Sequence, residues 1–181
     1  MRVLTPGTSD IWSRSHTVEH SRWSLLDLDM ESHLTEAVEQ GDVSKVIQLI
    51  REGVDVNSQA GLNGETALIE AAVSGNVDIL SILVSCPSLN VNQQDLSGHT
   101  ALLAASCNGH APFVSALLQH PDIDPNLGDH REVTPLLAAL MAGHGHVVNA
   151  LLHVDTRVSI NHADREGHTP IMLGKDSLSF H

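Results

Sequence analysis

Aromatic residues are almost missing from this chain of 181 residues, which has two Phe, two Trp and no Tyr. β-Sandwiches and β-barrels depend on aromatic and β-branched side chains, so this scarcity argues against both. Hydrophobic residues still make up 41% of the sequence, which excludes a wholly disordered chain. The core must therefore be built from Leu, Ile, Val and Ala, a composition that favours closely packed helices.

Positively charged residues are also scarce, with nine Lys and Arg against 22 Asp and Glu, and a net charge of −13. From Glu52 to His130 there is no Lys or Arg. No nucleic acid is expected as a partner, because binding a phosphate backbone needs clustered basic residues. The negative field of this stretch should repel acidic partners, so the charge favours a basic protein partner.

The sequence has only two cysteines, Cys86 and Cys107, and no long hydrophobic run. Two thiols cannot form a disulfide framework, so both are predicted to be reduced in an intracellular protein. The longest apolar stretch, near residues 135–143, is too short to cross a bilayer, and the first residues lack the hydrophobic region of a signal peptide. We therefore expect no membrane contact and a cytoplasmic location, with the nucleus left open.

Motifs typical of catalytic and cofactor sites are missing as well. The sequence has no Gly-rich phosphate loop ending in Lys-Ser/Thr, no dinucleotide fingerprint and no Gly-x-Ser-x-Gly elbow. Its 13 histidines show no spacing that completes a tetrahedral metal site. We therefore predict a protein that is not an enzyme, with no catalytic residue, no cofactor and no metal.

What the sequence does contain is an internal repeat. Three kinds of residue recur every 34 or 35 positions in one phase: Gly41, Gly75, Gly109 and Gly143; Thr66, Thr100, Thr134 and Thr169; Asn57, Asn92, Asn126 and Asn161. Such a period is the signature of a solenoid, in which each unit buries its hydrophobic face only against its neighbours.

Each unit predicts a pair of short helices. In the second unit, Thr66 suits the N-cap of a first helix, and Gly75 suits its end because glycine readily adopts the left-handed conformation. Leu80 and Leu83 then lie on one apolar stripe of a second helix. The sequence DLSG at residues 95–98 fits a type I turn that follows this helix.

These motifs resemble the ankyrin-repeat family. The family unit begins Asp-x-x-Gly-x-Thr-Pro-Leu-His, continues with Ala-Ala and Gly-His, and closes on Asp-Val-Asn. This chain has GETALIEAAVSGN, GHTALLAASCNGH and VTPLLAALMAGH, with the closing segments VDVN, LNVN, IDPN and SIN. The resemblance implies an all-α repeat solenoid of stacked helix-turn-helix units with β-turn fingers. It also implies a non-enzymatic adaptor or scaffold that binds a protein partner through a concave face.

The resemblance divides the chain into three parts. Residues 31–173 should form the repeat array, with four repeats and the start of a fifth that Gly174 interrupts. Residues 1–30 are expected to be a flexible N-terminal segment, and residues 174–181 a C-terminal tail. The turn glycine of the fourth unit is replaced by Glu132, so the tip of that finger is expected to differ.

Positions that vary within the family predict the partner-binding surface. The candidate residues are Leu62, Asn63, Glu65, Val73, Leu96, Ser97, His99, Cys107, Asn108, His130, Arg131, Val133 and Met141. Leu62, Leu96, Val133 and Met141 are expected to be exposed apolar anchors. The resemblance also makes Asn57 a candidate for asparaginyl hydroxylation, against a purely structural role of its side chain in a turn.

Two other functions stay open at this point. The array could be a regulatory ankyrin region, or a truncated form, of a larger enzyme, channel or ubiquitin-ligase component. It could also be a structural array that assembles through its C-terminal end, where a fifth unit without a second helix leaves an apolar stripe uncovered. We expect a monomer, with self-association through that end as the alternative.

Overall fold

The computed structural model describes residues 32–154 and 157–177, and every regular element in these ranges is a helix. The predicted N-terminal segment 1–30 and the last four residues of the predicted tail lie outside them. The helices are α1 (residues 32–39), α2 (Val43–Arg51), α3 (Ala67–Ser74), α4 (Val77–Leu83), α5 (Ala101–Cys107), α6 (Ala111–Leu117), α7 (Pro135–Met141), α8 (Gly145–Val154) and α9 (Pro170–Ser177).

The first helix of each central repeat begins at a threonine, as the sequence predicts. The hydroxyl oxygens of Thr66, Thr100 and Thr134 each accept a hydrogen bond from the backbone N–H three residues later, at 3.3, 3.2 and 3.4 Å. Each bond satisfies one of the N–H groups that a helix start leaves without an intrahelical partner. The threonine spacing therefore sets where α3, α5 and α7 begin.

The helices stack in two layers. The inner layer runs α3, α5, α7 and α9, each packed on the next, and the outer layer runs α2, α4, α6 and α8 in the same way. Small residues such as Ala71, Ala72 and Ala105 are fully buried in the inner helices, where they permit close helix packing. Short helices of seven to ten residues are marginal alone, so this stacking stabilises them. The architecture confirms the predicted all-α repeat solenoid.

A histidine of one repeat packs against the helix-ending glycine of the previous repeat. Gly75 ends α3 with a φ of +70°, and a Cβ at this position would lie 2.6 Å from the imidazole ring of His110. That ring donates from Nε2 to the carbonyl of Val73 at 3.0 Å, and His144 makes the same bond to Cys107 at 2.9 Å. Glycine is needed at position 75 both for the left-handed backbone and for the approach of the histidine.

The repeated asparagines link the loops that follow the outer helices, at the edge of the stack opposite the glycine–histidine contacts. Asn57 donates from Nδ2 to the carbonyl of Ser88 and accepts from the backbone N–H of Asn90, both at 2.7 Å. Asn92 and Asn126 make the corresponding pair of bonds to the following repeat. Asn57 thus has the structural role that the sequence offered, and its hydroxylation stays a prediction.

The end of the array differs from the prediction. Gly174 was expected to interrupt the fifth repeat, but α9 continues through it to Ser177. Glycine in a helix interior costs about 1 kcal/mol relative to alanine, which the packing of α9 on α7 can offset. The boundary predicted between residues 173 and 174 therefore falls inside a helix.

Candidate interaction surface

Four fingers project before the inner helices, at residues 61–65, 95–99, 129–133 and 164–168. Each is closed by a backbone hydrogen bond from its first N–H to its last carbonyl, at 3.0–3.2 Å. In the second finger, Oδ1 of Asp95 accepts from the backbone N–H groups of Ser97 and His99, both at 2.8 Å. Asp129 and Asp164 hold the third and fourth fingers by the same two bonds. These buried carboxylates therefore give the finger tips a defined shape.

Neighbouring fingers are joined by backbone hydrogen bonds. The N–H of Leu96 donates to the carbonyl of Asn63 at 2.9 Å, and the N–H of His130 donates to the carbonyl of Ser97 at 3.2 Å. Arg165 and Arg131 continue the series at 3.0 Å. The fingers are thus one ladder rather than four separate loops, and their side chains are presented at a fixed spacing.

The third finger keeps the shape of the others despite its glutamate. Glu132 has a φ of +65°, close to the values of +73°, +84° and +86° at Gly64, Gly98 and Gly167. A left-handed non-glycine residue costs roughly 1–2 kcal/mol, which the bonds to Asp129 offset. The expectation that this tip differs was therefore wrong, because the ladder imposes the conformation.

Ionisable side chains lie between the fingers. Nδ1 of His99 lies 3.2 Å from Oδ2 of Asp95, and its Nε2 lies 4.0 Å from Oδ2 of Asp129 in the next finger. Nε of Arg131 lies 3.6 Å from the same Asp129 oxygen. In the last finger, burial opposes ionisation of Asp164, but hydrogen bonds from His168 and Glu166 leave its pKa below the ordinary value. His99 and Arg131 thus contact the carboxylates that hold the fingers, and they also contribute to the exposed surface.

Three of the four predicted apolar anchors are exposed. Leu62 is fully exposed, and Leu96 and Met141 are exposed over more than half of their surface. Val133 was predicted to be a fourth anchor, and this was wrong: its exposure is 8%, and it packs with Leu103 and its neighbours in a small apolar cluster.

The other members of the predicted set lie on the same side of the molecule. We call this side the finger face: the tips of the four fingers together with the exposed sides of α1, α3, α5 and α7. The exposed predicted residues on it are Asn63, Val73, Ser97, Cys107, Asn108, His130 and Arg131, with Glu65 and His99 half-exposed. Partial desolvation of the thiol raises the pKa of Cys107, as does the nearby Asp129 carboxylate, so the thiol is protonated near neutral pH.

An acidic depression lies at the N-terminal end of the finger face. It has a volume of about 370 Å³, and its lining includes Leu62 and four carboxylates, Glu36, Glu39, Glu65 and Glu70. Burial raises the pKa of Glu70, and the charges of Glu39 and Glu65 raise it further. Burial acts in the same direction on Glu65, but hydrogen bonds from Asn63 leave its pKa lower than usual. The depression is therefore a site where a positive charge is favoured.

Of these four carboxylates, only Glu65 was predicted from the sequence to be a partner-binding residue. Glu36 and Glu39 come from α1, and Glu70 comes from α3, so their proximity depends on how the first two repeats stack. The absence of Lys and Arg from residues 52–130 indicated a negative electrostatic field, but it did not show where that field is strongest. A smaller depression at the other end is lined by two arginines, Arg131 and Arg165, and by two carboxylates, Asp164 and Glu166, beside Met141. The finger face therefore changes from acidic to balanced in charge along the stack.

Comparison with known proteins agrees with this geometry. A family model described as ankyrin repeats, in three copies, matches residues 34–129, which is more than half of the chain. The chain belongs to the ankyrin-repeat family. Ankyrin repeats are in general modules of protein–protein interaction, and this ankyrin array presents its fingers in the manner described above.

Two curated relatives each match less than a third of this chain. The putative ankyrin repeat protein FPV240 of Fowlpox virus (strain NVSL) is 42% identical over 57 residues, which are 32% of this chain and 14% of the relative. The 2-5A-dependent ribonuclease of Mus musculus is 42% identical over 55 residues, which are 30% of this chain and 8% of the relative. In each case the match covers only a small part of the relative.

Within residues 32–154 and 157–177, no group of three or more His, Cys, Asp or Glu side chains is arranged to hold a metal ion. Over the same ranges, no helix combines the length and the hydropathy that crossing a bilayer requires.

Proposed function

We propose that this ankyrin array is a non-enzymatic adaptor that binds a protein partner through its finger face. The observation that carries the proposal is the pair of exposed leucines, Leu62 and Leu96, at neighbouring finger tips joined by a backbone hydrogen bond. Apolar side chains on a rigid frame with polar neighbours are typical of binding hot spots, because little ordering is needed when the partner docks. We place the protein in the cytoplasm or nucleus, since its cysteines are free.

The partner is proposed to offer a basic segment to the acidic depression. Glu36, Glu39, Glu65 and Glu70 lie around one cavity next to Leu62. Burial raises the pKa of Glu70, and repulsion from Glu39 and Glu65 adds to this effect; a Lys or Arg side chain entering the cavity would offset that repulsion. Complementary charge of this kind accelerates association and selects the partner, and it weakens as salt is added.

Affinity capture with two matched variants tests the proposal. The double variant L62E/L96E places two charges at the finger tips and should lose the partner. Each anchor that the partner covers on binding contributes about 2 kcal/mol, or roughly 30-fold in affinity. The control V77E/I160E adds the same two charges at exposed apolar positions outside the finger face. Mass spectrometry of the captured proteins should show a set retained by the wild type and the control but lost from L62E/L96E.

The same experiment shows how the proposal fails. If L62E/L96E retains every protein that the wild type retains, while its circular dichroism shows a folded chain, the finger face is not the binding surface. If V77E/I160E loses the same proteins to the same extent, the added charge rather than the surface is responsible.

A regulatory ankyrin region of a larger protein is the second candidate function. The observation in its favour is that the chain covers only 14% and 8% of the relatives named above, one of which is a ribonuclease. An antibody raised against the array distinguishes the two candidates. A band in cell extract well above 19.4 kDa would support the larger protein, and a band at that mass would support the separate adaptor.

A further inference from the structure

Two rows of equivalent residues run along the finger face, with one residue from each of α1, α3, α5 and α7. The floor row is Glu36, Glu70, Ala104 and Ala138, and the rim row is Glu39, Val73, Cys107 and Met141. Successive members of each row are 34 residues apart. Because α3, α5 and α7 pack one on the next, the members of a row lie side by side. We call the surface between the rim row and the fingers, with the floor row at its base, the inner groove.

The inner groove changes from acidic to apolar along the stack. In α1 and α3 its floor carries Glu36 and Glu70, which line the acidic depression. In α5 and α7 the floor residues are buried alanines, so no long side chain projects from the floor into the groove. The rim changes in the same direction, from exposed Glu39 to exposed Val73 and Met141. The N-terminal half of the groove therefore favours a positive charge, and the C-terminal half offers apolar contacts.

The rim of the inner groove is held in place by the repeat that follows each helix. The imidazole of His110 donates to the carbonyl of Val73, and that of His144 donates to the carbonyl of Cys107. Met141 borders a cavity of about 80 Å³ that it shares with residues of the last two fingers. Cysteine packs as a small hydrophobic residue, so Cys107 continues the apolar rim. A surface that is ordered before binding loses little entropy when a partner docks.

We propose that the inner groove binds one linear segment of the partner, with a Lys or Arg side chain over the glutamates and apolar side chains over the alanines. This inference rests on the proposed function, because it assigns the chemistry of the partner that the finger face binds. Charge complementarity sets the direction of the segment along the stack. In the reverse order its cation would lie among apolar side chains and its apolar residues would cover the carboxylates, and both placements cost free energy.

The stack also sets the spacing within the segment. The glutamates lie on α1 and α3, and the apolar half of the groove lies on α5 and α7, two helix intervals further along. Packed helices are about 8–10 Å apart, so the two halves of the groove are about 20 Å from each other. The cavity beside Met141 is too small for a helix, which is about 10 Å thick, so an extended segment fits. At about 3.3 Å per residue, its basic and apolar positions are about six residues apart.

Selection from random peptides displayed on phage tests this assignment. The wild type should enrich peptides that share a basic position and an apolar position about six residues apart. In fluorescence anisotropy, a synthetic peptide of that consensus should bind E36K/E39K and M141E at least about tenfold more weakly than the wild type. The three replaced residues are exposed, so the variants should stay folded. The control E52K/D122K reverses two exposed carboxylates outside the finger face and should bind as the wild type does.

Exchanging the charges tests the direction of the segment. A peptide with Glu in place of its basic residue should bind E36K/E39K more tightly than it binds the wild type, because the attraction is restored with the signs reversed. A peptide with Lys in place of its apolar residue should recover binding to M141E but not to E36K/E39K. Together the two exchanges assign each end of the peptide to one half of the groove.

Three results would overturn the assignment: a wild type that enriches no peptide, enriched peptides without a common basic position, or a consensus peptide that binds E36K/E39K as tightly as the wild type. The variant L62E/L96E separates these failures from a failure of the proposed function. If L62E/L96E loses the peptides while E36K/E39K keeps them, the finger face remains the binding surface and only the assigned chemistry is wrong. If L62E/L96E keeps them as well, the proposed function is wrong too.

Discussion

Replacing Phe113 with alanine should lower the free energy of unfolding by about 3–5 kcal/mol, the usual range for a fully buried phenylalanine. Phe113 lies in α6 with no exposed surface and is the largest of the fully buried side chains in the described chain. The core around it is made of Leu, Ile, Val and Ala, with no other aromatic ring among the described buried residues. The surrounding helices are fixed by stacking on both sides, so they cannot close the cavity that alanine would leave.

Urea unfolding followed by circular dichroism measures this loss. Met141→Ala is the control, because Met141 is exposed on the finger face and its replacement should change stability by less than about 0.5 kcal/mol. A Phe113→Ala protein within about 1 kcal/mol of the wild type would show that α6 is not packed between α4 and α8 as described.

Val133→Glu should unfold the array or destabilise it by several kcal/mol, because a buried charge without a partner is among the most destabilising changes known. Val133 packs against Leu103, Leu137 and Ala138 directly before the N-cap Thr134. A carboxylate there would face apolar side chains from two consecutive repeats. The change would therefore disrupt the contact between α5 and α7.

Leu96→Glu is the matched control for this change. Leu96 is also an apolar finger residue, but it is 70% exposed, so a charge there remains hydrated and stability should stay within about 0.5 kcal/mol of the wild type. Urea unfolding of the two variants side by side distinguishes an anchor from a packing residue. Equal stability of both variants would mean that Val133 is exposed after all.

The helices and fingers could be predicted from the sequence because they depend on neighbours within one unit. Thr66 caps a helix three residues away, and Gly75 adopts a left-handed conformation at its end. Asp95 holds a turn of five residues by bonds to Ser97 and His99. Since these interactions are local, their recurrence at a fixed interval was sufficient to predict the repeats and hence the stack.

Val133 was wrongly predicted to be exposed because the equivalent position in the other three fingers carries a polar side chain. The equivalent residues Glu65, His99 and His168 turn outward, each bonded to a polar side chain of its own finger. Valine has no group to make that bond, so it turns inward onto the next repeat. A surface position of the family pattern thus becomes a core position through one substitution.

The acidic depression could not be predicted from one unit. The depression needs carboxylates from α1, the first finger and α3 to converge, which depends on the spacing between stacked repeats. This convergence is set by relations between repeats, and the interval of the pattern does not contain it.

Hydrogen–deuterium exchange on the protein with a partner recovered by capture tests the binding surface most directly. Partner binding should slow exchange in the fingers and inner helices, at residues 61–75 and 95–108, and leave α4 and α6 unchanged. Protection confined to the outer helices, with the fingers exchanging as in the free protein, would contradict the account.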